Sequence, residues 1–342
     1  MEIRTGNPFR GREKEKLVSF LKEQDLEYDE NITYSMVLEE DGEIIGTASS
    51  HNNVIKCVAI SKEHQGENLL STIFSHLVTH MFEQGIYHYF GFTKPKNKRL
   101  FEGVGLYPVA ETDHVLLLEN ERDGIKKYMK KLQEETKMAE ENGMENKESE
   151  EIGAIVANCN PFTKGHRYLV EYAASRCKYL HLFVLSEEQK FISSDARFHM
   201  VSEGVKDLKN VILHRTSDYL ISPVVFPTYF MKEKDQAFTM NCMLDIEIFR
   251  RYIAKNLGIT KRFVGSEPNC QVTNEYNRCL KEYLPQSGIE VEEIKRLEID
   301  DMPVSASDVR RAYEGSRMED VKRWVPETTY QYLSECKNKS KI

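Results

Sequence analysis

IGAIVANCNPFTKGHRYLVEYAA, residues 152–174, holds the decision about the fold. Ile152 to Ala157 form an apolar run of strand length without polar alternation, as a strand buried on both faces requires. Pro161 and Gly165 then punctuate the chain, and Leu169, Ala173 and Cys177 follow at helical spacing. A strand that turns straight into a helix is the first half of a parallel crossover unit. The turn carries Thr163, Lys164, Gly165 and His166 together, more chemistry than a bend needs.

The alternation continues toward the C-terminus. Strands are predicted at 152–157, 179–185, 210–214, 261–265 and 289–294, with helices at 166–177, 195–208 and 244–257. Phe198, Val201, Val205 and Leu208 stripe the second helix; Ile248, Phe249, Tyr252 and Ile253 stripe the third. Right-handed crossovers then give an α/β, doubly wound parallel sheet of Rossmann-like type. Ligands of such sheets lie at the carboxyl ends of the strands, near the switch in strand order.

Upstream the pattern changes. Asp41-Gly42 between ITYSMVLEE and EIIGTASS is a hairpin signal. NVIKCVAIS leads through Gln65-Gly66 into a helix striped by Leu69, Ile73, Leu77 and Met81. IYHYFGFT, a short helix with Leu100 and Phe101, and VLLLE complete an α+β domain with a mostly antiparallel sheet. Residues 119–151 are dense in charge, with little apolar content after Leu132, and read as a helix dissolving into solvated linker. The expected division is therefore 1–120, a charged helical linker at 121–150, and 151–342.

Composition bounds the function. Of 342 residues, 40% are hydrophobic and 30% charged, which suits soluble cores. Apolar runs such as LHLFVL are too short for a bilayer, and MEIRTGNPFRGREKEK lacks a signal-peptide core, so the expectation is a cytoplasmic protein without a membrane partner. A net charge of −8 counts against a protein built to grip nucleic acid. Seven cysteines without a CxxC pair suggest buried thiols, and no metal ligands are expected from side chains.

Two helix starts carry the candidate chemistry. At the first, open N–H groups and the helix dipole suit a phosphate; Thr163 adds a hydroxyl, His166 a ring N–H and Lys164 a charge. Alone, TKGH serves equally well as a helix cap with a surface histidine. The second, VSASDVR at 304–310, follows KRLEIDDMP. Ser305 and Asp308 have capping-box spacing, while Ser305, Ser307 and Arg310 would make another anion site, with a guanidinium able to fork two phosphate oxygens. Together the two suggest a triphosphate clamped between them. Lesser candidates are Lys190 and Arg197 after the second strand, with surface ion pairing as the rival. Gly265, Ser266 and Glu267 follow the fourth strand, where ribose or adenine would sit. Thr273, Tyr276 and Asn277 lie on the next helix. Phe226, Tyr229 and Phe230 could wall an acyl pocket but suit ordinary core packing better.

NPFTxGH with a late SxSxxR resembles the nucleotidylyltransferase superfamily, whose members carry (H/T)xGH after the first strand and ISxTxxR near the end. Over nearly the full length the chain is similar to the citrate lyase ligase family, through NVIKCVAIS, NPFTKGHRYL, FRRYIAKNLGITKRFVGSEP, VTNEYN and MPVSASDVR. The resemblance implies an N-terminal acetyltransferase-like domain before an adenylating domain. It implies ATP bound by Asn160, Pro161, Phe162, Thr163, Lys164, Gly165 and His166, with Ser305, Ser307 and Arg310 on the outer phosphates and Mg2+ sharing the charge. Acetate would attack the α-phosphorus and pyrophosphate leave. The acetyl-adenylate would pass its acetyl group to the CoA-like prosthetic-group thiol of the citrate lyase acyl carrier subunit. Rival readings are adenylyl transfer to a phosphorylated acceptor, an acetate-adenylating tRNA ligase, and a nucleotide-sensing protein without turnover.

The first domain resembles the GNAT acetyltransferase fold. There a Q/R-x-x-G-x-G/A loop holds the coenzyme A pyrophosphate on backbone amides. Here Gln65, Gly66, Glu67, Asn68, Leu69 and Leu70 occupy it, so both later glycines are replaced and Glu67 adds negative charge. The expectation is loss of independent acetyl-CoA transfer and a domain that receives the carrier or its arm.

Overall fold

The computed structural model describes residues 1–143, 148–188, 191–222, 242–267 and 271–339. They form two compact units. The first takes Met1–Ile125 and, among later described residues, 242–247; the second takes Lys126–Ser222 and the described residues from Ile248 onward.

In chain order the first unit has β1 (Glu2–Gly6), α1 (Gly11–Glu23), β2 (Tyr34–Glu40), β3 (Glu43–His51), β4 (Val54–Ile60), α2 (Leu69–Glu83), β5 (Phe90–Thr93), α3 (Lys98–Glu102), β6 (Tyr107–Glu111) and β7 (Leu116–Glu119). Its seven strands lie in the order β1-β2-β3-β4-β5-β7-β6. Asp41 and Gly42 both have positive φ, 50° and 84°, and join β2 to β3, the pairing twist that favours Asp-Gly. The predicted stripe of α2 is buried: Leu69, Ile73, Leu77 and Met81 pack with Met36, Ile45 and Leu118 from the sheet. Each such side chain contributes about 1.5–3 kcal/mol. Only β4 and β5 run parallel, paired at Val54↔Phe90 and Ile55↔Gly91. Beyond Ile55 no further β4–β5 pair is made, and a cleft of about 740 Å³ opens there.

The second unit begins with α4 (Gly124–Glu141), inside the span expected as linker. Its face is not free: Leu132 is fully buried, Tyr128 Oη donates to Arg215 O at 2.8 Å, and the Glu135 carboxylate lies 2.6 Å from His214 Nδ1. There follow β8 (Ile152–Ala157), α5 (Lys164–Ala174), β9 (Tyr179–Val184), α6 (Ser194–Val205), β10 (Val211–Arg215), and, from Ile248 onward, the remainder of α7, a helix over 242–257 that is π-wound at Phe249–Ala254. Next come β11 (Lys261–Gly265), α8 (Gln271–Tyr283), β12 (Glu290–Ile294), the hairpin β13 (Glu298–Ile299) and β14 (Met302–Pro303), α9 (Ala306–Glu314), α10 (Met318–Trp324) and α11 (Glu327–Lys339). The five-stranded sheet is parallel with order β10-β9-β8-β11-β12, so strand order reverses between β8 and β11. A ligand is expected outside the carboxyl ends at that reversal. β8 and β11 end at Ala157 and Gly265, immediately before the two loops singled out in the sequence. No helix is long and apolar enough to cross a membrane among the described residues.

Candidate active site

The β8–α5 turn is built around the imidazole of His166. Thr163 is the helix N-cap, and its hydroxyl accepts the His166 backbone N–H at 3.3 Å. The Thr163 backbone N–H donates to His166 Nδ1 at 3.0 Å, closing a capping box with histidine in the glutamate's place. An Nδ1 that accepts a backbone proton cannot carry one, so the ring's own hydrogen sits on Nε2. Burial, and then the charge of Arg296, push the His166 pKa from 6.5 down to about 4. At neutral pH the ring is therefore an uncharged donor in fixed orientation. Of the two sequence readings of Thr163, the structure shows the cap: it caps the helix and in doing so aims the histidine. Its side chain is only 1% exposed, which leaves the hydroxyl on the cap.

The second helix start lies against the first. Val304 O is 3.4 Å from where a Cβ on Gly165 would stand, so the small residue lets the chain entering α9 pass close to α5. Arg310 crosses the gap: Nη1 donates to Asn160 O at 2.5 Å and Nη2 to Ser307 Oγ at 2.9 Å. Ser305 Oγ caps α9 by accepting the Ser307 N–H at 3.1 Å. Asp308 pairs with Arg311 and takes no part in the expected capping box. Asn160 is 6% exposed, and among the described residues its buried Oδ1 has no hydrogen-bond partner.

Other expected residues are placed differently. Phe162 is fully buried, its ring against Gly204 and 6.0 Å from the His166 ring at 15°, so it supports the imidazole from below. Pro161 is buried beside it. Lys164 donates to Arg323 O at 2.7 Å, capping the end of α10, and its charge is directed there. Arg197 is fully buried: Nη1 donates to Asn158 O and Oδ1 at 2.9 and 2.6 Å and Nη2 to Glu187 O. It braces the loops after β8 and β9, in place of a surface ion pair. Asn277 is buried and donates to Gly265 O at 2.9 Å, holding the end of β11. A Cβ on Gly265 would meet nothing within 4 Å, which leaves room in front of Ser266. The Glu267 carboxylate pairs with Arg296. Thr273 is exposed and Tyr276 half-buried on α8. Lys190, Phe226, Tyr229 and Phe230 lie outside the described residues.

Arg296, just past β12, is the residue that the motif reading missed. It lies near enough to His166 to depress its basicity and donates Nε to Ser266 O at 2.7 Å. The signal available was position alone: a cation at the carboxyl end of a strand next to the switch point. Among the described residues no group of three or more His, Cys, Asp or Glu could hold a metal ion. Among the described residues Cys57, Cys159, Cys177, Cys242 and Cys279 are buried and outside any disulfide, and burial raises the Cys159 thiol to about 12.

In the first unit the cleft beside β4 and β5 has Ile55, Ala59, Phe92 and Phe101 in its lining, with Lys62, Lys94, Lys96 and Arg99 and the Asp29-paired Lys56 among its cations. Asn68, in the left-handed region at φ 60°, and Leu70 also line it.

Comparison with known proteins gives two family matches: the citrate lyase ligase C-terminal domain over residues 152–333 and the acetyltransferase (GNAT) family over residues 4–105. The [citrate [pro-3S]-lyase] ligase of Klebsiella pneumoniae is 38% identical over 327 residues, 94% of this chain and 93% of its own. That of Escherichia coli K12 is 36% identical over 324 residues, 93% and 89% of the two chains. Among solved structures, Thermotoga maritima TmcAL bound with alpha-thio ATP aligns at a TM-score of 0.36 and 16% identity, covering 55% of this chain and 56% of its own.

Proposed function

The chain belongs to the citrate lyase ligase family, an enzyme family, and on that premise we propose that it is a cytoplasmic ligase that uses ATP to acetylate the CoA-like prosthetic-group thiol of the citrate lyase acyl carrier subunit. The observation carrying this reading is the Arg310 guanidinium bonded to Asn160 O, which joins the second capped helix start to the loop that carries Thr163 and His166. Two helix N-termini, two arginines and a fixed N–H donor suit a triphosphate.

Acetate attacks the α-phosphorus in line. A carboxylate oxygen–phosphorus bond forms, the bond to the bridging oxygen breaks, and pyrophosphate leaves with the electron pair. His166 Nε2–H donates to an oxygen gaining charge, while Arg310 and the α9 start hold the outer phosphates. Catalysis is then positioning and charge neutralisation, without a protein nucleophile. Magnesium enters this reading as part of the substrate, carried on the triphosphate, with the hydroxyls of Ser305 and Ser307 near the outer phosphates. The carrier thiolate next attacks the acyl carbon; a thioester forms and AMP departs. The first unit's cleft, apolar inside with cations around it, suits a long anionic arm, and we assign it to docking the carrier's prosthetic group.

The test is to incubate the protein with ATP, magnesium, acetate and the deacetylated carrier. Stoichiometric AMP, pyrophosphate and a carrier heavier by one acetyl group are expected. Transfer of the adenylyl group to the carrier, or acetylation of tRNA in its place, would contradict the reading.

A further inference from the structure

The carboxyl end of β12 presents a cation that is held, but not completely. Arg296 is 26% exposed. Its Nε donates to Ser266 O at 2.7 Å, its backbone N–H to Ser266 Oγ at 3.3 Å, and Nη2 pairs with the largely buried Glu267. Ser266 in turn donates its N–H to Ile294 O at 2.8 Å, tying the ends of β11 and β12 together. The neighbouring Leu297 accepts the Val304 N–H at 2.9 Å, and Val304 is the residue against Gly165. These links set Arg296 beside both helix starts. Among the described residues, Nη1 has no protein acceptor.

We propose that Arg296 contacts the α-phosphate of the bound nucleotide, which there takes the place of its Glu267 partner. The proposal rests on the adenylating reading given above. The reaction concentrates negative charge at the α-phosphate, and His166, being neutral, supplies a hydrogen bond without a charge. Arg310 is anchored to Asn160 and Ser307 at the other helix start. A guanidinium with Nε fixed on a backbone oxygen can exchange a carboxylate for a phosphate across its outer edge, so it is never left without an anion. Glu267 and the α-phosphate thus compete for one cation. Loss of Arg296 should weaken nucleotide binding, whereas loss of the Glu267 charge should strengthen it. An ion pair with a purely structural role would respond in the same direction to either loss.

The experiment uses the full-length protein with Arg296→Gln, Arg296→Lys and Glu267→Gln, titrated calorimetrically with AMP, ATP and adenosine and assayed for acetate-dependent pyrophosphate exchange. Arg296→Gln is expected to weaken AMP and ATP by about ten- to a hundred-fold, as for a lost charged hydrogen bond, while adenosine binding is retained. Its exchange kcat should fall about 10²- to 10³-fold, with partial recovery in Arg296→Lys, which also serves if the glutamine variant fails to fold. Glu267→Gln should lower the ATP KM. Unchanged AMP affinity in Arg296→Gln, parallel loss of adenosine, or equal direction of the two KM shifts would overturn the proposal. If the wild type shows no acetate-dependent exchange, the ligase reading fails instead; AMP against adenosine still judges Arg296.

Discussion

At the scale of single residues, the proposed chemistry depends on a histidine held neutral. His166 titrates near 4 in the folded chain and near 6.5 when unfolded. Between those values the unfolded state binds more protons, so this residue's contribution is present above about pH 6.5 and is lost as pH falls toward 4. Thermal melts across that window should show Tm dropping on acidification in the wild type and less so in His166→Gln. At neutral pH, His166→Ala should cut adenylation kcat about 10²- to 10³-fold, while loss of the capping-box acceptor costs only about 1 kcal/mol of stability, read as a Tm drop of a few degrees. That Thr163 and His166 stand at one helix start, and Ser305, Ser307 and Arg310 at another, was legible because cap residues and helical spacing mark both starts in the sequence. The destinations of Lys164 and Arg197 were not legible. A sequence shows that a cation exists but not which carbonyl it reaches, and those two reach Arg323 and Glu187.

Among elements, the β8–α5 turn is shaped by what packs beneath it. A Cβ on Gly204 in α6 would stand 2.5 Å from the Phe162 ring, whose other neighbour is the His166 imidazole. Glycine to alanine inside a helix ordinarily stabilises by about 0.5–1 kcal/mol. Forcing a methyl into a fully buried ring costs about 1–3 kcal/mol, so overpacking wins. Gly204→Ala is expected to lower Tm by a few degrees and to reduce kcat, measured by calorimetry and exchange. Indifference in both would remove Phe162 as the support of the imidazole. The predicted strands of the second unit were legible to within a residue and its predicted helices to within three, because apolar runs and helical stripes mark where elements lie better than where they end. In the first unit, β1 and α1 were not anticipated. EIRTG is short and mostly exposed, and α1 buries only Leu17, Phe20 and Leu21 between charged residues, so neither leaves a strong periodic trace.

For the whole molecule, the proposed division of labour gives each unit a separable readout. Reversing Lys94 and Lys96 to Glu is expected to raise the KM for the carrier at least ten-fold while leaving acetate-dependent exchange, a reaction without carrier, near its wild-type rate. Steady-state acetylation and exchange assays on the same preparation check this. Equal effects on both assays would contradict carrier docking in the first unit's cleft. The erosion of the Gln65–Leu70 loop was plain in the sequence, but the 740 Å³ cleft was not, since it arises where β4 and β5 cease to pair. Likewise the face of α4 was hidden by its charge, because Tyr128, Met129 and Leu132 occupy one stripe among lysines and glutamates.

The most direct measurement is exchange of labelled pyrophosphate into ATP by the wild type, with and without acetate and in the absence of carrier. Label should enter ATP only when acetate is present, and Arg310→Gln should abolish most of it. Exchange independent of acetate, or none at all while ATP binds, would contradict acetyl-adenylate formation at the paired helix starts.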